Sequence, residues 1–226
     1  MIQVKNLIKK FKSGAGEFTV LKGLDLSVSP GEFVSVTGRS GSGKSTLLYQ
    51  LGLLDTPTSG SIVIDGVDVG NLSKDESTQF RLNYLGYIFQ DYAILPSLSA
   101  IENVMVALLM QGIEESQARK LSQKALERVG LGTKSGNLPS QLSGGEQQRV
   151  SIARAIAHNP KIIFADEPTA NLDSETSENI LNAFLDLHKG GQTIVMVTHE
   201  PEYAKLTDRI VHLSDGVIVD EKINKR

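Results

Sequence analysis

The sequence predicts an α/β fold in three parts: a β-rich start, a helical middle and a closing stretch in which strands and helices alternate. Three observations carry this. Short apolar runs between tight turns fill the first third. Residues spaced for one helix face fill the middle. Continuous apolar strands alternating with amphipathic helix patterns fill the last third, as in a parallel sheet covered on both faces. A length of 226 residues, at roughly 150 per domain, leaves one large domain or one domain with an insert.

In order, Ile2 to Phe11 and Val20 to Val28 read as strands, and Pro30-Gly31 marks a turn before a buried strand from Glu32 to Thr37. Ser61 to Ile64 is a short strand closed by the turn pair Asp65-Gly66. Such closely spaced strands predict an antiparallel sheet near the N-terminus. In the middle, Ala118, Leu121, Ala125 and Val129 recur at helix spacing, with Glu114, Arg119, Lys120 and Glu127 on the other face. Pro139 breaks that region, and a further helix is expected from Gly144 to His158. Lys161 to Ala165 reads as a buried strand, Ser174 to Lys189 as a helix and Thr193 to Thr198 as another buried strand. Asp173 or Ser174 can cap that helix, and Gly190-Gly191 ends it.

Composition narrows the function. Hydrophobic residues at 40% and charged ones at 22% supply a core and exclude disorder as the main state. The net charge of -3 lacks the basic excess of a dedicated nucleic-acid binder, so no nucleic-acid partner is expected. Without cysteine there is no disulfide, zinc knuckle or thiol nucleophile. The longest apolar run, Val104 to Met110, is far short of the ~20 residues of a spanning helix. Met1 to Lys5 alternates like a strand rather than a signal peptide, so the expected compartment is the cytoplasm.

Three segments carry chemistry. Gly38-Arg39-Ser40-Gly41-Ser42-Gly43-Lys44-Ser45 matches the phosphate-binding loop pattern after a buried strand, and opens a helix through Thr46. Glycines let backbone N–H groups curl around an anion, and the helix start adds about half a positive charge. Lys44 can reach the terminal phosphates, and the Ser45 hydroxyl can bind Mg²⁺. A flexible Gly/Ser turn is the plainer alternative. Lys161 to Glu167 is an apolar strand ending in two carboxylates, at the edge where open α/β sheets bind ligands. There Asp166 would hold Mg²⁺ through water and Glu167 would polarise an attacking water, although capping the next helix explains such a pair as well. Ser143, Gly144 and Gly145 form a second small-residue helix start. By itself it is an ordinary N-cap. Beside a complete phosphate cradle, it makes most sense serving the nucleotide of another molecule.

Together these residues resemble the ATP-binding cassette (ABC) ATPases over essentially the whole chain. The resemblance takes in the phosphate loop at Gly38 to Ser45, a glutamine loop at Gln90 and a signature motif at Leu142 to Gln147. The second acidic motif at Ile162 to Glu167, the loop Ala170-Asn171-Leu172-Asp173 and a switch histidine at His199 follow in family order. Phe11 falls where the family stacks an aromatic on adenine. His158, His188 and His212 read as structural.

The resemblance implies a RecA-like phosphate-loop NTPase core with an N-terminal antiparallel β subdomain and an inserted α-helical subdomain. It implies one nucleotide-binding domain over 1–226, with 1–90 and 159–226 as core and 91–158 as the helical part. It further implies ATP and Mg²⁺ as cofactors and two copies closing head to tail around two ATP. Lys44, Gln90, Glu167 and His199 would be catalytic, Ser45, Gln90 and Asp166 would hold the metal, and Asp173 would join the two sites across the interface. Three departures stand out: Glu146 where Gln is commonest, Phe11 for the usual Tyr, and Ala170-Asn171 before Leu-Asp. None removes a catalytic group.

Three classes compete for what such a switch drives: the energy subunit of a membrane transporter, a non-transport ATPase of the same family, and a small-molecule phosphotransferase. The chain has one cassette and no heptad run, against the second. The signature and His199 oppose the third. The stretches Gly52 to Gly60, Leu85 to Gln90 and Leu95 to Val106 resemble the macrolide-export and lipoprotein-releasing group. That implies a separate permease of few spanning helices with a large outer domain, and a peripheral place on the cytoplasmic face of the membrane. An importer ATPase or the ATPase of a complex regulating cell-wall hydrolases is the alternative. Asp91 to Leu98 is either the seat for a permease coupling helix or an ordinary surface loop.

Overall fold

Alternation along Ile2–Ser13 builds the first strand, β1, burying Ile2 and Val4 on one face. At Asn6, with φ of 47°, a bulge shifts the register, and Leu7 and Lys9 become the inward residues. The computed structural model describes residues 1–14 and 16–224. Next come β2 (Gly16–Val28), β3 (Phe33–Thr37), α1 (Lys44–Leu51), β4 (Ser59–Ile64) and β5 (Val67–Asp68). The middle holds α2 (Lys74–Tyr84), β6 (Leu85–Ile88), α3 (Ala100–Met110), α4 (Glu115–Arg128) and α5 (Gly144–Ile156). The chain continues through β7 (Ile162–Asp166), α6 (Ser174–Lys189), β8 (Thr193–Val197), α7 (Pro201–Ala204), β9 (Arg209–Ser214) and β10 (Val217–Ile223).

The chain divides into two units. The first, Met1–Gln79 with Gly190–Arg226, contains the expected antiparallel sheet, ordered β2-β1-β4-β5. Asp65 and Gly66, both at positive φ, make the turn between β4 and β5. The same unit holds β10-β9-β3-β8, in which β3 runs parallel to both β8 and β9. Four of the five β3 residues are buried, hence its continuous apolar sequence. Its one polar member inside, Ser35, accepts a hydrogen bond from Thr207 at 3.1 Å.

The second unit, Phe80–Lys189, pairs β6 parallel to β7 and packs α3, α4 and α5 together. Helix α5 lies on β6 where Gly86 leaves room, since a Cβ there would stand 2.4 Å from the Ala155 carbonyl. Helix α4 buries Ala118, Ser122, Ala125 and Leu126, while Leu121 is only half-buried. The inward stripe is therefore turned from the one its spacing predicts, with Ser122 and Leu126 taking the place of Leu121. Helix α5 stops at Ile156, short of His158, whose Nε2 instead meets the Leu85 carbonyl at 3.1 Å. Helix α6 runs as expected and buries Ile180, Leu181, Phe184 and Leu187. Helices α2 and α3 and strand β6 are elements that sequence spacing had not defined. Among the described residues no helix is long and apolar enough to cross a membrane.

Candidate functional site

In the first unit, two loops leave one edge of the sheet side by side. Val36 of β3 is opposite Val197 of β8, so Gly38 and His199, each two residues further on, emerge at the carboxyl ends of adjacent parallel strands. Gly38 has φ of 154°, and a Cβ there would meet the Leu213 carbonyl at 2.1 Å; only glycine fits. Gly43 caps α1 with φ of 103°, letting the chain turn directly into the helix. The Lys44 ammonium is held by the carbonyls of Gly38 and Arg39 at 3.0 and 3.1 Å. The Ser42 hydroxyl is buried with no protein partner. A glycine-built cradle, a buried ammonium and an orphaned hydroxyl fit a polyphosphate. Ser40 and Gly41 lie at the exposed crest of the loop, with Ser45 and Thr46 half-buried in the first turn of α1.

On β1, two residues apart on one face, Lys9 and Phe11 form a second feature. The Lys9 ammonium lies 4.9 Å from the Phe11 ring centre and is itself bound by Asp55 and the Thr56 carbonyl, each at 2.7 Å. Phe18 stacks on Phe11 at 5.8 Å. His199 is 3.4 Å from the Glu200 carboxylate.

The second unit repeats the edge arrangement. Ile88 of β6 is opposite Ala165 of β7, so Gln90 and Glu167 again follow neighbouring parallel strands by two residues. Asp166 is buried, and Glu167 stands at φ of 43°, a left-handed conformation that costs a residue with a Cβ about 1–2 kcal/mol. The loop beyond it is fixed by Gln148, whose buried amide donates to the Pro168 carbonyl at 2.8 Å. Asn171 donates to the Gln90 carbonyl at 3.3 Å.

Ser143 caps α5 in a reciprocal box with Glu146: Glu146 N–H donates to Ser143 Oγ, and Ser143 N–H to the Glu146 carboxylate. Ser143 and Gly144 are exposed. Gly144 and Gly145 are hemmed in from two sides: added Cβ atoms would lie 3.1 Å from the Tyr92 hydroxyl and 2.2 Å from Thr176 Cγ2. Asp173 is the cap of α6, accepting from Thr176 N–H at 2.9 Å and Thr176 Oγ1 at 2.8 Å. The Thr176 N–H and hydroxyl hold the Asp173 carboxyl below its ordinary range.

No sequence pattern gives Thr176, Tyr92, Gln148 or Arg154 a role of its own. Arg154 donates to the Tyr92 and Ala93 carbonyls at 3.0 and 2.6 Å, and Asn103 binds the Leu95 N–H and the carbonyls of Leu95 and Leu98. The segment after Gln90 is thereby pinned at both ends. Asn103 carried a signal as part of a subgroup likeness, Tyr92 only as a member of the segment Asp91 to Leu98, and Gln148 only as a neighbour of the signature motif.

A glycine cradle ahead of α1, with acidic and glutamine residues at the ends of parallel strands, defines a phosphate-loop nucleotide-binding protein. Residues 21–170 match the ABC transporter family. Over 214 residues the chain is 48% identical to the lipoprotein-releasing system ATP-binding protein LolD of Aquifex aeolicus, covering 95% of this chain and 94% of that one. It is 45% identical to the macrolide export ATP-binding/permease protein MacB of Chlorobaculum tepidum over 98% of its own length, but spans only 34% of that relative. The dimeric post-hydrolysis ATP-binding cassette MJ0796, bound to ADP and Pi, superposes with a TM-score of 0.94 at 40% identity over the whole of both chains. The chain belongs to the ABC transporter family, as an ATP-binding, ATP-hydrolysing subunit of the LolD and MacB type.

Proposed function

We propose that two copies of this chain close head to tail around two ATP and so drive a separate membrane permease. The observation that carries this is the pair of glycine-opened helix starts, α1 and α5, within one chain. A nucleotide seated on the Gly38 to Thr46 cradle occupies one of them, and Ser143 to Gly145 serve the nucleotide of the second copy. That the cassette MJ0796 is dimeric with ADP and Pi bound supports pairing of two such chains.

In this scheme Phe11 stacks on adenine and Lys44 neutralises the terminal phosphates. Ser45, Gln90 and Asp166 offer hydroxyl, amide and carboxylate oxygens, a hard donor set suited to Mg²⁺, which would offset phosphate charge. Glu167 accepts a proton from the attacking water, His199 contacts the γ-phosphate and Asp173 joins the two sites. Loss of that phosphate opens the dimer, a ligand-driven two-state switch. The core is 1–90 with 159–226, and 91–158 forms the helical subdomain, whose pinned segment Asp91 to Leu98 seats the permease. The relatives' names favour a permease for lipoprotein release or macrolide export; one of few spanning helices with a large outer domain is the form expected from the family resemblance. The subunit then sits on the cytoplasmic face of the membrane.

Glu167→Gln tests the scheme: turnover falls by ~10²–10⁴-fold, the usual worth of a general base, while ATP traps a dimer visible by light scattering. A variant that stays monomeric in saturating ATP and Mg²⁺ overturns the sandwich. Purification from native membranes identifies the permease, and a many-helix partner with a solute-binding protein would mean import instead.

A further inference from the structure

Lys134 ends the 3-10 turn Gly132–Lys134 that precedes the signature helix, and its ammonium pairs with Oε1 of Glu146 at 2.5 Å. The second carboxylate oxygen of Glu146 accepts the Ser143 N–H at 3.0 Å. One side chain is thus gripped by a cation on one oxygen and by the helix cap on the other. The carboxylate is well covered, 15% exposed on its side chain, and the lysine is 46% exposed. The Lys134 hydrogen bond, then the Ser143 N–H, holds the Glu146 carboxyl below its usual range, so it carries a full negative charge at neutral pH.

That charge has opposite consequences in the two states of the subunit. In the free chain, an acid in the first turn of α5 suits the positive end of the helix. When the same helix start meets a polyphosphate, the carboxylate stands within one turn of it and repels it in a site from which water is being expelled. A neutral glutamine at this position would cap Ser143 without that conflict. Glutamate needs a counter-ion that stays in place, and Lys134 is held there by the same carboxylate.

We propose that Lys134 is a positioning residue of the signature half-site: it neutralises Glu146, so that Glu146 holds Ser143 in its cap without opposing the phosphate of the facing copy. This rests on the ATP sandwich proposed above. In this assignment Lys134 acts on the facing nucleotide only through Glu146.

The test compares Lys134→Met, Lys134→Arg and Lys134→Met/Glu146→Gln in the full-length chain. ATP affinity of dilute monomer, KM and kcat for ATP hydrolysis and melting temperature are measured for each. Lys134→Met leaves Glu146 with only the weaker attraction of Arg149 and raises KM about tenfold, the size of one partly compensated, partly screened charge, with kcat within about twofold and monomer affinity unaltered. Lys134→Arg behaves as the parent, and adding Glu146→Gln to Lys134→Met brings KM back. An unaltered KM in Lys134→Met, or a double variant no better than the single one, overturns the assignment. So does a fall in melting temperature and activity that Glu146→Gln fails to repair, which would mark a purely structural ion pair. If Glu167→Gln yields no ATP-dependent dimer, sandwich and assignment fall together, whereas a trapped dimer with unaltered KM removes Lys134 alone.

Discussion

A Cβ placed on Gly145 would stand 2.2 Å from Cγ2 of Thr176, whose hydroxyl is held by Asp173. The signature helix and the cap of α6 are therefore in contact through one glycine and one methyl group. Rotating Thr176 away would break its bond to Asp173, so the clash has no easy relief. Gly145→Ala is expected to cost about 1–3 kcal/mol, as overpacking does, and to lower ATPase activity at least tenfold while monomer ATP affinity holds. Thr176→Ser keeps the hydroxyl and drops the methyl, so Gly145→Ala/Thr176→Ser recovers part of the loss. Equal damage in single and double variants would show that Thr176 is not the obstacle.

Lys44 is the buried cation of the loop Gly38 to Ser45, bound to two loop carbonyls. Lys44→Ala removes the tie that shapes the loop and, in the proposed scheme, a charge-assisted contact to phosphate. ATP affinity is expected to fall on the order of 100-fold, about 3 kcal/mol, measured by titration calorimetry. Unchanged affinity would contradict the role given to the ammonium.

Asn103 is buried and saturates the backbone of the segment after Gln90, accepting from Leu95 N–H at 2.7 Å. Asn103→Ala leaves that N–H without its acceptor. Amide exchange at Leu95 is expected to quicken by about tenfold, the worth of roughly 1.4 kcal/mol of local opening. Mass-resolved exchange over 91–98 checks this, and protection equal to the parent's would mean that Arg154 alone holds the segment.

Asp55 predicts a pH dependence of stability. Burial alone would raise its carboxyl, but hydrogen bonds from Lys9, Thr56 and Gln50 outweigh that and hold it below its ordinary value of 3.8. A carboxyl depressed in the folded state adds stability that is present above pH 3.8 and is lost as pH falls through the lower folded value. Asp55→Asn is expected to lower stability by about 1 kcal/mol at neutral pH, allowing for solvent screening, with the gap closing as pH falls below 3.8 and through the lower folded value. Melting curves of parent and variant from pH 7 to pH 2.5 test this, and a gap independent of pH would assign the effect to packing.

Much of the fold was legible because its signals are local. The cradle from Gly38 to Ser45 announces itself by residue type, as does the type I′ turn at Asp65-Gly66. Helix α6 shows a clean apolar stripe between a cap and a glycine pair. Helix α3 was hidden because Val104 to Met110 is apolar on every side, leaving no period to read. Strand β6 was hidden because it is four residues long and contains Gly86.

Side-chain type and short spacing were enough to nominate residues for cradling phosphate, binding a metal ion or taking a proton. Tertiary structure alone decided which of them answer to which. Gly145 meets Thr176 31 positions away, Arg154 reaches Ala93 across 61, and Lys134 finds Glu146 only when the turn before α5 folds back on it. Such partners are set by packing of whole elements, whose order and register no local pattern records.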